Sequence, residues 1–309
     1  MKFYRDVRKD MIRKANCVIS SVVAVCLLAS CSSEPQITEE TAAVTPAATE
    51  VTLETDATEV TKPEHPPVGY VVSDPEIEKA EGRTKEVYFS RDGELICGRI
   101  TSPKGKGPFK TIIISHGLYA PLGRYADKAK SYCDKGYAVI EFEYQNATPP
   151  ETYEDPEYLG DYICEEIKDL YAVIDSLKYL PEVDRSNIYL YGHSMGGLVA
   201  SYVATFRQDE IKGLILVDPS FYATDLMEFE NEQTVTTDIY PLLKECRIPV
   251  IIITGTEGSF GEDPNFFDEA RKAFPDCRYE VIEGANHIFG GEASEQVVEI
   301  SVEAMKSWG

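Results

Sequence analysis

Between residues 187 and 204 an apolar run, a turn with three glycines and a helix-forming run follow one another without a break, and no other stretch restricts the fold as much. Asn187-Ile188-Tyr189-Leu190-Tyr191 is β-branched and aromatic, the makeup of a buried strand, and Leu198-Val199-Ala200-Ser201-Tyr202-Val203-Ala204 reads as a helix packed on a sheet. Between them stands Gly192-His193-Ser194-Met195-Gly196-Gly197. A strand passes into a helix in so few residues only if the two approach closely, and glycine permits this because it has no Cβ. The spacing of Gly192, Ser194 and Gly196 therefore predicts a strained turn that holds the Ser194 hydroxyl out at the carboxyl edge of a sheet.

The remaining pattern supplies that sheet. Residues 86–90 and 95–100, joined through Arg91-Asp92-Gly93, predict an antiparallel hairpin with an Asp-Gly turn. Further strands are expected at 111–115, 137–144, 213–217, 249–254 and 278–282, and helices at 125–135, 163–180, 239–246, 266–274 and 294–307. The helix at 163–180 carries Ile163, Ile167, Leu170, Ile174 and Leu177 on one face. Strands that are continuous apolar runs and alternate with helices imply a mostly parallel sheet covered on both faces, with right-handed crossovers. The fold expected is thus α/β, an eight-stranded sheet flanked by helices behind an N-terminal antiparallel hairpin.

The first 82 residues read differently. Lys2, Arg5, Arg8, Lys9, Arg13 and Lys14 precede an apolar run from Val18 to Ala29, the order of an export signal over residues 1–30. That run is shorter than the roughly 20 apolar residues a membrane span needs. Its end, Leu28-Ala29-Ser30-Cys31, resembles the lipobox of bacterial lipoproteins, which implies lipidation of Cys31 and attachment to the outer face of a bacterial membrane. Residues 32–82 are rich in Thr, Ala and Glu, with twelve acidic residues against Lys62 and Lys79, and read as a solvated tether. The folded domain is expected over 83–309. With six basic and two acidic residues in the first thirty and −23 overall, the rest of the chain carries −27, which argues against a nucleic-acid partner. Outside the leader and Cys31 the cysteines are Cys97, Cys133, Cys164, Cys246 and Cys277, scattered and odd in number, so neither a disulfide framework nor a zinc site is indicated and buried thiols are expected.

A serine hydroxyl needs a base within hydrogen-bond reach to act as a nucleophile at neutral pH. Of four histidines, His65 lies in the tether, His193 is the variable residue of the turn and is expected to point away, and His116 precedes Gly117 at a strand end. That leaves His287, in a glycine-bearing loop after the last strand, where groups beyond the carboxyl ends of parallel strands collect.

With these residues placed, the span from about Glu86 to Trp308 resembles the α/β-hydrolase superfamily, and most of all its small esterase, lipase and cinnamoyl-esterase branch, which includes the monoacylglycerol lipases. The matching motifs are Ser115-His116-Gly117-Leu118, Gly192-His193-Ser194-Met195-Gly196-Gly197, Ile248-Pro249-Val250 and Gly284-Ala285-Asn286-His287. The resemblance implies a Ser194 acyl-enzyme, His287 as base, and an oxyanion hole at the N–H groups of Leu118 and Met195. A helix amino terminus offers such donors in any case. His116 either braces the oxyanion loop or only packs there. The acid departs from the family pattern, since Gly255-Thr256-Glu257-Gly258 puts glycine where the acid usually stands. Glu257 is preferred, with Asp263 second and Asp218, at the end of an earlier strand, third.

Tyr119, Phe221, Tyr222, Leu226 and Phe289 are candidates for an apolar acyl or aromatic pocket, each equally explained by packing. The short 220–238 insertion suits short-chain or bulky aryl esters better than long buried lipid chains. The expected protein is a monomeric, lipid-anchored serine esterase with a small-molecule ester substrate and no metal or organic cofactor. Two other readings remain. One is a prolyl-oligopeptidase-type peptidase, against which the sequence offers no preceding propeller and no acidic site for a substrate amine; the other is a catalytically inactive ligand-binding surface lipoprotein.

Overall fold

The computed structural model describes residues 70–78, 83–118, 120–145, 156–221 and 239–309. The expected leader, Cys31 and most of the tether lie outside the described residues, as do Tyr119, Tyr222 and Leu226. Nine strands form one sheet: β1 Glu76–Glu78, β2 Thr84–Arg91, β3 Glu94–Thr101, β4 Phe109–Ser115, β5 Ala138–Phe142, β6 Val183–His193, β7 Ile211–Val217, β8 Val250–Gly255 and β9 Cys277–Ile282. The helices are α1 Ala126–Asp134, α2 Pro156–Ser176, α3 Met195–Phe206, α4 Tyr240–Leu243, α5 Asp268–Ala273 and α6 Glu292–Ser307. Among the described residues no helix is long and apolar enough to cross a membrane.

Across the sheet the order is β1-β2-β3-β5-β4-β6-β7-β8-β9. The pairs β1/β2, β2/β3 and β3/β5 are antiparallel, and every pair from β5/β4 to β8/β9 is parallel. The expected hairpin is present, with Arg91 opposite Glu94 and both turn residues in the left-handed region, Asp92 at φ 53° and Gly93 at φ 85°. That pair of angles defines the tight turn whose twist matches its strands, and Asp-Gly accepts them most readily.

The eight strands read from the sequence are present, and β1 adds a ninth from the segment assigned to the tether. Ile77 stands opposite Val87 in the β1/β2 pairing. Upstream, the Val71 N–H donates to Asp92 Oδ1 at 2.9 Å, the Asp92 N–H donates to the Val71 carbonyl at 2.9 Å, and the Tyr70 hydroxyl bonds to Asp175 on α2. Residue 70 therefore already belongs to the folded body, and the boundary expected at 82 is corrected. Edge pairing of this kind uses main-chain groups, which an acidic composition does not reveal.

Successive residues of the central strands face two separate cores, the period-2 signature of a sheet buried on both sides. Ile113, Leu190, Leu214, Leu216 and Ile252 point into a core shared with α2 and α3, while Ile112, Ile114, Tyr189, Tyr191, Ile215, Val217, Ile251 and Ile253 point into one shared with α1 and α6. Cys97, Cys133, Cys164 and Cys246 are free and buried, and Cys277 is free and half-buried. Burial pushes the Cys246 thiol up to about 11 and the Cys277 thiol up to about 12, so both stay protonated and inert at neutral pH.

One glycine in β7 marks a tight point of the second core. A Cβ at Gly213 would lie 2.2 Å from Trp308 Cε3, and the Trp308 ring rests on Tyr189 with centroids 6.1 Å apart. Gly213→Ala should displace that indole and lower the unfolding free energy by about 1–3 kcal/mol. A urea melt that leaves the midpoint unchanged would contradict this packing.

Candidate active site

Parallel register brings five strand ends to one rim. Ser115 pairs with Gly192, His193 with Val217, Val217 with Ile253, and Gly255 with Ile282. The residues immediately beyond these ends, His116 and Gly117, Ser194, Asp218, Thr256 and the loop carrying His287, are therefore neighbours although up to 171 positions apart in sequence. This is where an open parallel sheet offers its ligand-facing edge.

Ser194 is the single residue between β6 and α3, at φ 55° and ψ −125°. A non-glycine residue in that region costs roughly 1–3 kcal/mol and persists only where its surroundings hold it. Here the Ser194 N–H donates to the Val217 carbonyl at 3.1 Å, and the Ser194 carbonyl accepts the N–H groups of Gly197 at 2.9 Å and Ser220 at 3.0 Å. The glycines make the turn sterically possible. A Cβ at Gly192 would lie 2.5 Å from the Gly196 oxygen, and one at Gly196 would lie 2.2 Å from the Ser115 oxygen. Both motif glycines are thus required by contact, as the spacing implied.

The imidazole partner is resolved by geometry. His287 Nδ1 lies 2.5 Å from Asp218 Oδ2, with the His287 side chain 30% exposed and the Asp218 side chain fully buried. Asp218 stands at φ 46°, just past β7, and its N–H donates to the Ile253 carbonyl at 2.8 Å. The Thr254 hydroxyl donates to Asp218 Oδ1 at 2.5 Å and the Phe260 N–H to Asp218 Oδ2 at 3.1 Å. Three donors thus converge on one carboxylate, which only accepts. The proton of the neutral imidazole is thereby held on Nδ1, and Nε2 presents its lone pair. The Phe260 ring meets the His287 ring edge-on, centroids 5.0 Å apart.

The preferred acid, Glu257, is not at the imidazole, and this expectation is corrected to Asp218, the third candidate. Glu257 is exposed, and its contribution is main-chain: its N–H donates to the Ala285 carbonyl at 3.0 Å. On either side, the Thr256 hydroxyl accepts the Gly284 N–H at 2.9 Å and the Gly258 carbonyl accepts the His287 N–H at 3.4 Å. Residues 256–258 therefore cradle the backbone of the histidine loop and leave its side-chain partner to β7. Asp263 is exposed as well, its Oδ1 accepting the Asn265 N–H at 2.9 Å.

The oxyanion candidates flank Ser194. Met195 is the first residue of α3, where an N–H has no intrahelical acceptor. Leu118 follows Gly117 in a turn closed by the Ala120 N–H on the Gly117 carbonyl at 3.1 Å. A Cβ at Gly117 would stand 3.0 Å from Ser194 Cβ, so the turn lies directly against the serine. His116 is buried, its Nδ1 2.8 Å from the Gly117 carbonyl and its ring 4.5 Å from that of Tyr144, and burial pushes its pKa down to about 4. His193 does not point away as expected. Its ring lies against that of His287, tilted by 35° with centroids 4.9 Å apart.

Phe221 and Phe289, two of the pocket candidates, are buried members of the two cores. Among the described residues no three of His, Cys, Asp and Glu are grouped so as to ligate a metal ion.

The fold is the α/β-hydrolase fold: Est1E from Butyrivibrio proteoclasticus superposes with a TM-score of 0.54 at 21% identity, covering 72% of this chain and 99% of that one. A dienelactone hydrolase from Anabaena variabilis gives a TM-score of 0.56 at 17% identity, covering 76% and 99%. A family model described as Serine aminopeptidase, S33 matches residues 106–247, which takes in Gly117, Leu118, Ser194 and Asp218. Monoglyceride lipase from Mus musculus is 29% identical over 129 residues, 41% of this chain and 40% of the relative. Esterase EstD from Thermotoga maritima is 29% identical over 130 residues, 40% of this chain and 30% of the relative. The chain thus spans about two fifths of the monoglyceride lipase it matches, and what it shares with the solved structures is the fold.

Asp218→Asn should lower ester turnover by roughly 10³–10⁴-fold, the scale of a wrong imidazole tautomer. Glu257→Ala should stay within about twofold of the unmodified chain, since truncation at an exposed side chain leaves its main-chain bond to Ala285 in place. Steady-state rates of the two variants side by side check the assignment.

Proposed function

We propose that this chain hydrolyses carboxylic esters through an acyl-enzyme on Ser194. The observation that carries the reading is the buried Asp218 carboxylate on His287 Nδ1, at the same sheet rim where Ser194 is held at φ 55°. His287 Nε2 takes the proton of the Ser194 hydroxyl as Oγ attacks the ester carbonyl. Negative charge gathers on the carbonyl oxygen, where the N–H groups of Leu118 and Met195 receive it, and losing one such donor costs roughly 10²–10³ in rate. The imidazolium then returns its proton to the departing alkoxide, which leaves as the alcohol. Water, deprotonated by the same Nε2, attacks the acyl carbon; the bond to Ser194 Oγ breaks, the imidazolium returns its proton to Oγ, and the acid is released.

Esters are favoured over amides by the company the chain keeps: a monoglyceride lipase and an esterase among its sequence relatives, and Est1E solved with ferulic acid bound among its structural neighbours. Substrates with a short acyl chain or a bulky aryl acid fit this reading. Peptidase activity is the second reading, motivated by the aminopeptidase description of the matching family model. Fluorophosphonate should label Ser194 and p-nitrophenyl esters should be cleaved, with both lost in Ser194→Ala. Turnover of amino-acyl amides without ester cleavage would favour the peptidase, and an unlabelled Ser194 a ligand-binding protein.

We further propose that the chain is a lipoprotein anchored through Cys31, on the strength of the basic leader, the apolar run and Leu28-Ala29-Ser30-Cys31. In a bacterial host, Cys31→Ser should abolish incorporation of radiolabelled palmitate and shift the protein from the membrane fraction to the soluble one. Equal labelling of the two forms would refute the anchor.

A further inference from the structure

His193 ties together three segments that the reaction needs in fixed relation. Its Nε2 lies 2.7 Å from the main-chain oxygen of His287, and its Nδ1 lies 2.9 Å from the Tyr125 hydroxyl. The same hydroxyl accepts the Gly117 N–H at 3.4 Å. Burial, and secondarily the neighbouring His287, push the His193 pKa down to about 3, so the ring is neutral and offers one donor and one acceptor. The His287 carbonyl only accepts, which puts the proton on Nε2 and leaves Nδ1 to accept from the Tyr125 O–H. Burial raises the Tyr125 pKa, so that hydroxyl keeps its proton. Every bond in the row then has one direction: Gly117 N–H to Tyr125 oxygen, Tyr125 O–H to His193 Nδ1, His193 Nε2–H to the His287 carbonyl.

Both members of the row are themselves fixed. The Tyr125 N–H donates to the buried carboxylate of Glu141 at 3.2 Å, and its ring meets that of Tyr191 edge-on at 6.1 Å. The His193 ring is held between the tilted His287 ring at 4.9 Å and the edge-on ring of Phe289 at 6.3 Å. Neither side chain exchanges a proton with substrate in the steps above, because the His287 contact is to its carbonyl and not to its imidazole.

We infer that His193 and Tyr125 are positioning residues that fix the His287 loop and the Gly117 turn against Ser194, setting base, nucleophile and oxyanion donors as one unit. The inference deepens the ester-hydrolase reading and rests on it. Displacement of a reacting group by about 1 Å can cost on the order of 10²-fold, so loss of the row should act on turnover more than on binding. Glutamine at position 193 can still offer a donor to the His287 carbonyl, whereas leucine fills the space and offers none.

The test compares His193→Leu, His193→Gln and Tyr125→Phe with the unmodified full chain, in p-nitrophenyl butyrate kinetics and in the low-field proton resonance of His287 Nδ1–H. His193→Leu should lose roughly 10- to 100-fold in kcat with KM moved by less than about threefold, and its resonance should broaden or vanish. His193→Gln should recover most of the rate and the resonance, and Tyr125→Phe should fall between the two. A His193→Leu protein with unchanged kcat and an intact resonance would overturn the inference, as would a folded His193→Gln protein no better than the leucine variant. If His193→Leu does not fold, Tyr125→Phe decides, since it removes one oxygen and nothing else. Failure of fluorophosphonate to label Ser194 in the unmodified chain would instead sink the hydrolase reading, and the resonance would still decide the positioning role.

Discussion

A side chain at residue 196 would come within 2.2 Å of the Ser115 carbonyl oxygen and 2.4 Å of that of His116, so the start of α3 lies in main-chain contact with the end of β4. The Ser115 hydroxyl secures the contact from below, donating to the Gly196 carbonyl at 2.9 Å and bonding to the Tyr144 hydroxyl at 2.5 Å. Because these segments cannot move apart without breaking buried hydrogen bonds, the single residue left between β6 and α3 has no room for an ordinary φ. Ser194 is held in the left-handed region by its neighbours, and the Gly117 turn is pressed against it. The strained serine and the turn beside it thus share one steric cause.

His287 and Asp218 come from the other half of the rim, where parallel register does the aligning. β7 lies between β6 and β8, so a residue one step past its end is beside Ser194 on one side and the β8 loop on the other. Asp218 occupies that step and is closed in by Thr254 and Phe260, which leaves one direction open to its carboxylate, toward His287. The loop at 256–258 then serves the histidine through its backbone alone.

Much of this was legible in the chain. The continuous apolar strands, the Asp92-Gly93 turn, the crowding glycines and the strand-end histidine each have a local cause that survives into the structure. What failed was of another kind. Glu257 was preferred over Asp218 because it stood near the expected place in sequence, but which carboxylate meets an imidazole depends on strand order and on where the loops close. His193 was expected to point away because position 193 carries no obligatory residue, yet its direction is set by two partners, Tyr125 and the His287 carbonyl, that are 68 and 94 positions distant. Residues 70–78 looked like tether because composition weighs side chains, and edge strands are held by backbone.

By itself the sequence determined the layers and the strained serine and singled out His287 as the imidazole beyond the last strand, since each follows from periodicity, from the absence of a Cβ or from the scarcity of histidine. Tertiary structure alone decided which acid reaches that base and how the rim is bound together, because those outcomes rest on distances between segments that only the register of the parallel strands brings within reach.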